Sequence, residues 1–131
     1  MKKVLFLSAV LAFASCKKEA SENATTTESV AEGESAKAQT PEELGKQLFE
    51  GTGNCFACHQ PDQKVVGPSI KEIAKIYKDK NADMVTFLKG NAEPIVDPSQ
   101  FAVMQTNFAI TKAMSDEELK AIETYIYSHL K

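Results

Sequence analysis

The stretch Cys55-Phe56-Ala57-Cys58-His59 decides how this chain is interpreted. Two cysteines three positions apart lie on the same side of a helical turn, and a histidine one position further on lies there too. Thiols with this spacing can add to the two vinyl groups along one edge of a porphyrin, while the imidazole binds the iron. The motif predicts one covalent haem, attached through Cys55 and Cys58, with His59 as an axial ligand.

Paired cysteines also occur in thioredoxin-like redox sites, in zinc sites and in structural disulfides. A thioredoxin-like pair needs a βαβ context, whereas the apolar periodicity of this chain is helical. A zinc site needs further Cys or His ligands, and the only other histidine in the chain is His129. These three uses stay open as alternatives, but they fit the sequence less well than haem attachment does.

The N-terminus has the composition of an export signal. Lys2 and Lys3 precede the apolar run 4–14, so residues 1–15 are interpreted as a lipoprotein-type signal peptide. The residues Phe13-Ala14-Ser15-Cys16 that follow resemble a bacterial lipobox, which predicts a lipid on Cys16 and a lipid-anchored location on the periplasmic side of a membrane. Cleavage after Ala14, which would give a soluble periplasmic protein beginning at Ser15, is the alternative.

The composition changes after Cys16 and again near residue 40. Residues 17–40 are dominated by Ala, Ser, Thr and Glu, so segment 16–40 is expected to be a lipidated, disordered tether. Residues 41–131 form the expected haem domain, which carries ten Lys and thirteen Asp or Glu. The charges are interspersed and no basic cluster suggests nucleic acid as a partner.

Residues 41–131 show helical periodicity throughout, which predicts an all-α domain. The first helix is expected to begin at Thr40, with Pro41 in its first turn and Glu43 completing a capping box. Ser115 and Glu118 predict the same arrangement at the start of the last helix. Short helices are expected after Ser69 and over 83–89, and residues 91–103, which contain two prolines, are expected to be irregular.

In this order the segments resemble a class I cytochrome c. The parts that carry the resemblance are an N-terminal helix with Gly45 and Phe49, the C-x-x-C-H motif, Gly67-Pro68, a methionine on a later segment and a last helix that opens Ser-Asp-Glu-Glu-Leu. It implies about four to five short helices around one covalent haem c, with the terminal helices crossing where Gly45 meets Tyr125. It also implies that the Pro68 carbonyl accepts a hydrogen bond from His59.

The second axial ligand is a choice among the methionines of the domain. Met84 has the spacing of a core residue, and Met114 precedes the last helix where an apolar residue is expected. Met104 lies about where the cytochromes of this class carry their ligand, so the resemblance implies Met104, with Met114 as the alternative. His129 is a weaker candidate, because a histidine at a helix C-terminus has an ordinary electrostatic explanation.

The resemblance implies one-electron transfer between a redox donor and acceptor of unknown identity, without enzyme activity, and we expect the protein to be a monomer. A subunit whose haem serves a larger oxidoreductase is one alternative. A haem enzyme or ligand sensor is another, although the sequence contains no recognisable acid–base pair or nucleophile arrangement to support it.

Overall fold

The computed structural model describes residues 39–131, and this part of the chain is helical. The only β-type pairing within it is an isolated bridge between His59 and Lys64. The expected all-α fold is confirmed, with six α-helices where four to five were expected. In chain order they are α1 (Pro41–Glu50), α2 (Ile70–Lys80), α3 (Met84–Leu88), α4 (Phe101–Gln105), α5 (Phe108–Thr111) and α6 (Asp116–Ser128), with 3-10 turns at Cys55–Ala57 and Pro98–Gln100.

Both terminal helices begin with the capping boxes that the sequence predicts. The Thr40 hydroxyl accepts a hydrogen bond from the backbone N–H of Glu43, whose carboxylate accepts one from the backbone N–H of Thr40. Ser115 and Glu118 make the same reciprocal pair at the start of α6. Each pair satisfies donors that a helix N-terminus otherwise leaves free, so both boundaries are set by local sequence.

The terminal helices α1 and α6 cross at Gly45, which is buried. A β-carbon on Gly45 would overlap the backbone carbonyl of Ala121 and would lie 2.9 Å from the β-carbon of Tyr125. One turn later along α1, the rings of Phe49 and Tyr125 are 5.3 Å apart and tilted by 59°. The expected approach of Gly45 to Tyr125 is therefore present, and the Ala121 backbone is closer still.

Replacing Gly45 by valine is expected to lower the free energy of unfolding by about 1–3 kcal/mol, because the new side chain must push the two helices apart. Gly45→Ala tests whether the free energy of unfolding rises or falls. Helix propensity alone would make that variant more stable by about 1 kcal/mol, whereas overlap with Ala121 makes it less stable. Denaturant titration of the haem-loaded protein measures both, and Lys46→Val at the exposed neighbouring position is the control. An unchanged midpoint for Gly45→Val would contradict the crossing.

Helices α2, α3 and α4 surround a cleft together with the terminal helices α1 and α6. Helix α2 buries Ile70, Ala74 and Tyr77, and α3 buries Met84 and Leu88. Both helices pack against α6, whose Leu119 and Ile122 are fully buried. A cluster of three phenylalanine rings 5.5 to 6.2 Å apart connects α3, α4 and α5; it consists of Phe87, Phe101 and Phe108.

The expectation that residues 91–103 are irregular is wrong for their second half. Pro98 occupies the first position of a 3-10 turn, where a proline costs nothing because the N–H it lacks would have no intrahelical acceptor. The chain then continues directly into α4, so Met104 lies on a short helix that follows this turn. Helix α5, which the sequence did not predict, follows after Asn107.

Across residues 39–131, no helix is both long enough and apolar enough to span a bilayer. The signal peptide, the lipid on Cys16 and most of the tether that the sequence predicts fall outside the described residues. Gln39 and Thr40, the last residues of the predicted tether, lie within them and contact α1.

Candidate functional site

The C-x-x-C-H motif forms a single tight turn. It begins after Asn54, whose backbone is left-handed with φ 50°, and residues 55–57 continue as a 3-10 turn rather than as the α-helix that the spacing suggests. The Cys55 carbonyl accepts hydrogen bonds from the N–H groups of Cys58 at 3.1 Å and His59 at 2.9 Å. This winding still brings Cys55, Cys58 and His59 to the wall of one cleft.

The two thiols are unpaired, which leaves both free to react. Burial raises the pKa of Cys55 to about 11, so its sulfur is protonated at neutral pH. The Sγ lies 3.4 Å from the Gly53 carbonyl, to which it donates. Cys55 and Cys58 could hold a porphyrin that carries vinyl groups, because adding a thiol S–H across a vinyl double bond would give a thioether without an oxidant or a reductant.

The imidazole of His59 is held in one orientation. Its Nδ1 lies 2.8 Å from the Pro68 carbonyl oxygen, and because a carbonyl can only accept, Nδ1 carries the proton and donates. Burial lowers the pKa of His59, and the hydrogen bond to Pro68 partly opposes this shift. The neutral ring therefore keeps its Nε2 lone pair free, as a metal ligand requires.

Gly67 leaves the space that the His59 ring occupies. A β-carbon at this position would lie 2.7 Å from Nδ1 and closer still to the neighbouring ring carbon. Any larger residue would displace the imidazole from the Pro68 carbonyl. Gly67 thus leaves room for the His59 ring, and Pro68 orients the ring through the hydrogen bond to its carbonyl.

Two of the three methionines in the domain reach the cleft. Met104 lines it from α4, and Met84 lines it from α3, where its side chain is packed in the core at 2% exposure. Met114, the alternative ligand, is absent from the cleft lining and packs against the core as the sequence suggests for a residue preceding α6. The structure thus brings Met104 together with His59 and both cysteines, and it leaves Met114 elsewhere.

His129 also lies away from the cleft lining. Its ring packs edge-on against Tyr125, with centroids 5.0 Å apart, at the C-terminal end of α6.

Asn107 connects the methionine segment to the cysteine motif, and sequence analysis missed it. Its side-chain amide donates to the Gly53 carbonyl at 3.0 Å, and its backbone N–H donates to the Met104 carbonyl at the same distance. Gly53 and Asn107 are 54 positions apart, so no local pattern links them. An asparagine close after Met104 is the only signal the sequence offers.

The cleft suits a large, flat, mostly apolar group. The space within it, together with the solvent at its open mouth, amounts to about 1170 Å³. Among the described residues that line it, Asp97 alone carries a charge. Its carboxylate lies 2.7 Å from the ammonium group of Lys64. The other lining side chains that form its apolar walls include Phe49, Ile73, Tyr77, Phe87, Leu88, Ile95, Phe101, Ile122 and Ile126. Two thiols at one edge, an oriented imidazole and a methionine are a donor set that fits a covalently bound haem.

Comparison with known proteins agrees with this geometry. A family model described as cytochrome c matches residues 42–129, which is nearly the whole domain. The chain belongs to the cytochrome c family. As a cytochrome c it carries one covalently bound haem c, and proteins of this family are usually exported.

One similar protein is the cytochrome c-552 of Nitrosomonas europaea. It is 47% identical to this cytochrome over 53 residues, a stretch that covers 40% of the present chain and 46% of the relative. The match therefore spans less than half of the relative's length.

Proposed function

We propose that this cytochrome c is a one-electron carrier that passes electrons between larger redox proteins. The observation that carries the proposal is that His59 and Met104, from segments 45 positions apart, line the same cleft as the two attachment cysteines. The haem supplies a reversible Fe(II)/Fe(III) couple when bound. An imidazole and a thioether on its two faces would leave no iron coordination position open for a substrate.

Some groups of the cleft would orient the His59 ring, and others would set the reduction potential of the haem. The Pro68 carbonyl holds the His59 ring in its Nδ1-protonated form, which makes Nε2 the ligand atom. A thioether sulfur is a soft ligand that stabilises Fe(II) and raises the reduction potential. The apolar walls would keep water from the iron and act in the same direction, since a low dielectric disfavours the more highly charged ferric state.

Exposed apolar side chains near the cleft support docking of a partner at its mouth. Four large apolar residues are notably exposed in the described part of the chain: Phe56, Val65, Val66 and Val103. All four belong to segments that carry or adjoin His59 or Met104, and Val66 and Val103 line the cleft itself. An apolar surface of this kind suits brief contact with another redox protein.

Optical redox titration of the purified full-length protein tests the proposal. A carrier should follow a one-electron Nernst curve, show the weak far-red charge-transfer band of methionine-ligated ferric haem, and bind carbon monoxide poorly when reduced. A ferric spectrum without that band, combined with rapid carbon monoxide binding, would instead indicate a haem enzyme or a ligand sensor.

We further propose that the carrier is tethered to the periplasmic side of a bacterial membrane by a lipid on Cys16. The lipobox-like residues before Cys16 and the polar composition of residues 17–40 support this. Cys16→Ser is expected to move the protein to the soluble fraction while leaving the haem spectrum unchanged, because anchor and haem motif lie in separate segments. Wild-type protein recovered in the soluble fraction with a mature mass beginning at Ser15 would show simple secretion.

A further inference from the structure

Lys64 connects the segment that carries His59 to Asp97, a residue that lines the cleft. Its backbone pairs with that of His59 in the isolated antiparallel bridge, so it belongs to the segment that holds the proximal ligand. Its ammonium group lies 2.7 Å from a carboxylate oxygen of Asp97, which is 33 positions further along the chain. Lys64 thus contacts both His59 itself and the segment that leads to Met104.

Asp97 is built into the start of the methionine segment. It accepts a hydrogen bond from the Ser99 hydroxyl at 2.6 Å, and its backbone carbonyl accepts from the N–H of Gln100 at 3.2 Å. The 3-10 turn that begins at Pro98 continues into α4 without a break, and α4 carries Met104. The position of the Asp97 carboxylate is therefore mechanically connected to the position of the methionine.

Other ion pairs in residues 39–131 do not make this connection. Lys71 with Asp62 joins the start of α2 to the loop after His59, Lys75 with Asp79 lies within α2, and the remaining pairs involve α1, α3 or α6. The Asp97 side chain is also only 18% exposed, whereas Lys64 is 57% exposed. The carboxylate thus has a fixed place at the cleft wall, and the lysine reaches across to it.

We propose that Lys64 and Asp97 are positioning residues that hold the methionine segment closed against the haem cleft. The inference rests on the proposed ligation by Met104. The ion pair from Lys64 to the cleft-lining Asp97 favours the closed arrangement of residues 97–104, in which Met104 would stay on the iron. Without the pair, residues 91–97, which form no helix, can move away more easily and carry the start of α4 with them.

Imidazole binding to the ferric, haem-loaded full-length protein measures this closure, because imidazole must displace the methionine to reach the iron. Lys64→Met and Asp97→Asn are each expected to raise the affinity for imidazole about two- to fivefold, the range that a partly exposed ion pair supports. The double variant should bind no more tightly than the single variants, because either change removes the same pair. In 1 M salt the wild type should approach the variants, since salt screens the pair.

Lys75→Met is the matched control. It removes one lysine from an ion pair on the exposed surface of α2, so the net charge changes equally while the cleft mouth is untouched. Lys64→Arg keeps a positive charge opposite Asp97 and should retain the wild-type affinity if the pair is responsible.

Two results overturn the inference in different ways. If Lys64→Met binds imidazole no better than Lys75→Met while the wild type shows the far-red band, methionine ligation stands and the closure is wrong. If the wild type lacks the far-red band, the ligation on which the closure depends is wrong as well.

Discussion

A variant with both Cys55→Ser and Cys58→Ser is expected to contain no covalent haem. A serine hydroxyl does not replace the thiol in addition to a vinyl group, and the motif offers no other nucleophile at this edge of the cleft. The apolar walls would then enclose a cleft without its central group, so the yield of folded domain should fall as well. Acid–acetone extraction followed by mass spectrometry of the protein measures the attachment directly.

The single variants and Cys16→Ser complete that experiment. Each single variant retains one thiol and should hold haem through one thioether at reduced yield. Cys16→Ser should keep both links, because Cys16 lies outside the haem motif. Extraction of haem from the wild-type protein by acid–acetone would contradict covalent attachment.

Met104→Ala is expected to open the distal face of the haem. Loss of the soft sulfur ligand favours Fe(III), so the reduction potential should fall, and since axial ligands and their surroundings tune haem potentials over about 0.8 V, a fall on the order of 0.1 V or more is expected. The far-red band should disappear and the reduced protein should bind carbon monoxide rapidly. Spectroelectrochemistry and carbon monoxide titration measure these three effects on the same sample.

Met114→Leu is the control for the methionine experiment. Met114 packs against the core outside the cleft, and leucine has nearly the same volume, so potential and spectrum should be close to those of the wild type. If Met114→Leu opens the iron and Met104→Ala does not, Met104 is the wrong ligand.

The features that the sequence predicted well are those that depend on neighbouring residues. Capping boxes span four positions, so Thr40 with Glu43 and Ser115 with Glu118 mark where α1 and α6 begin without tertiary information. The C-x-x-C-H motif is equally local, because it spans only five positions. The helical structure around Met104 was missed because a proline was taken to exclude helix, although Pro98 occupies a first turn that tolerates it.

The contacts that set the geometry of the cleft join residues that are far apart in the chain. Asn107 reaches Gly53, Lys64 reaches Asp97, and Gly45 packs on the backbone of Ala121. A lysine, an aspartate or an asparagine on a surface segment has no pattern that names its partner. Such pairs become visible only when the helix crossing has brought their segments together.

By itself, the sequence indicated the family through the order of its segments, and it predicted the haem attachment residues, the all-α class and the starts of the terminal helices from residue types at short spacings. Between Met104 and Met114 it offered only position along the chain and resemblance. The tertiary structure placed Met104 in the cleft and Met114 outside it. The physical reason is that α4 packs through Phe101 against Phe87 and Phe108, and this packing, rather than any local pattern, decides which methionine lines the cleft with His59.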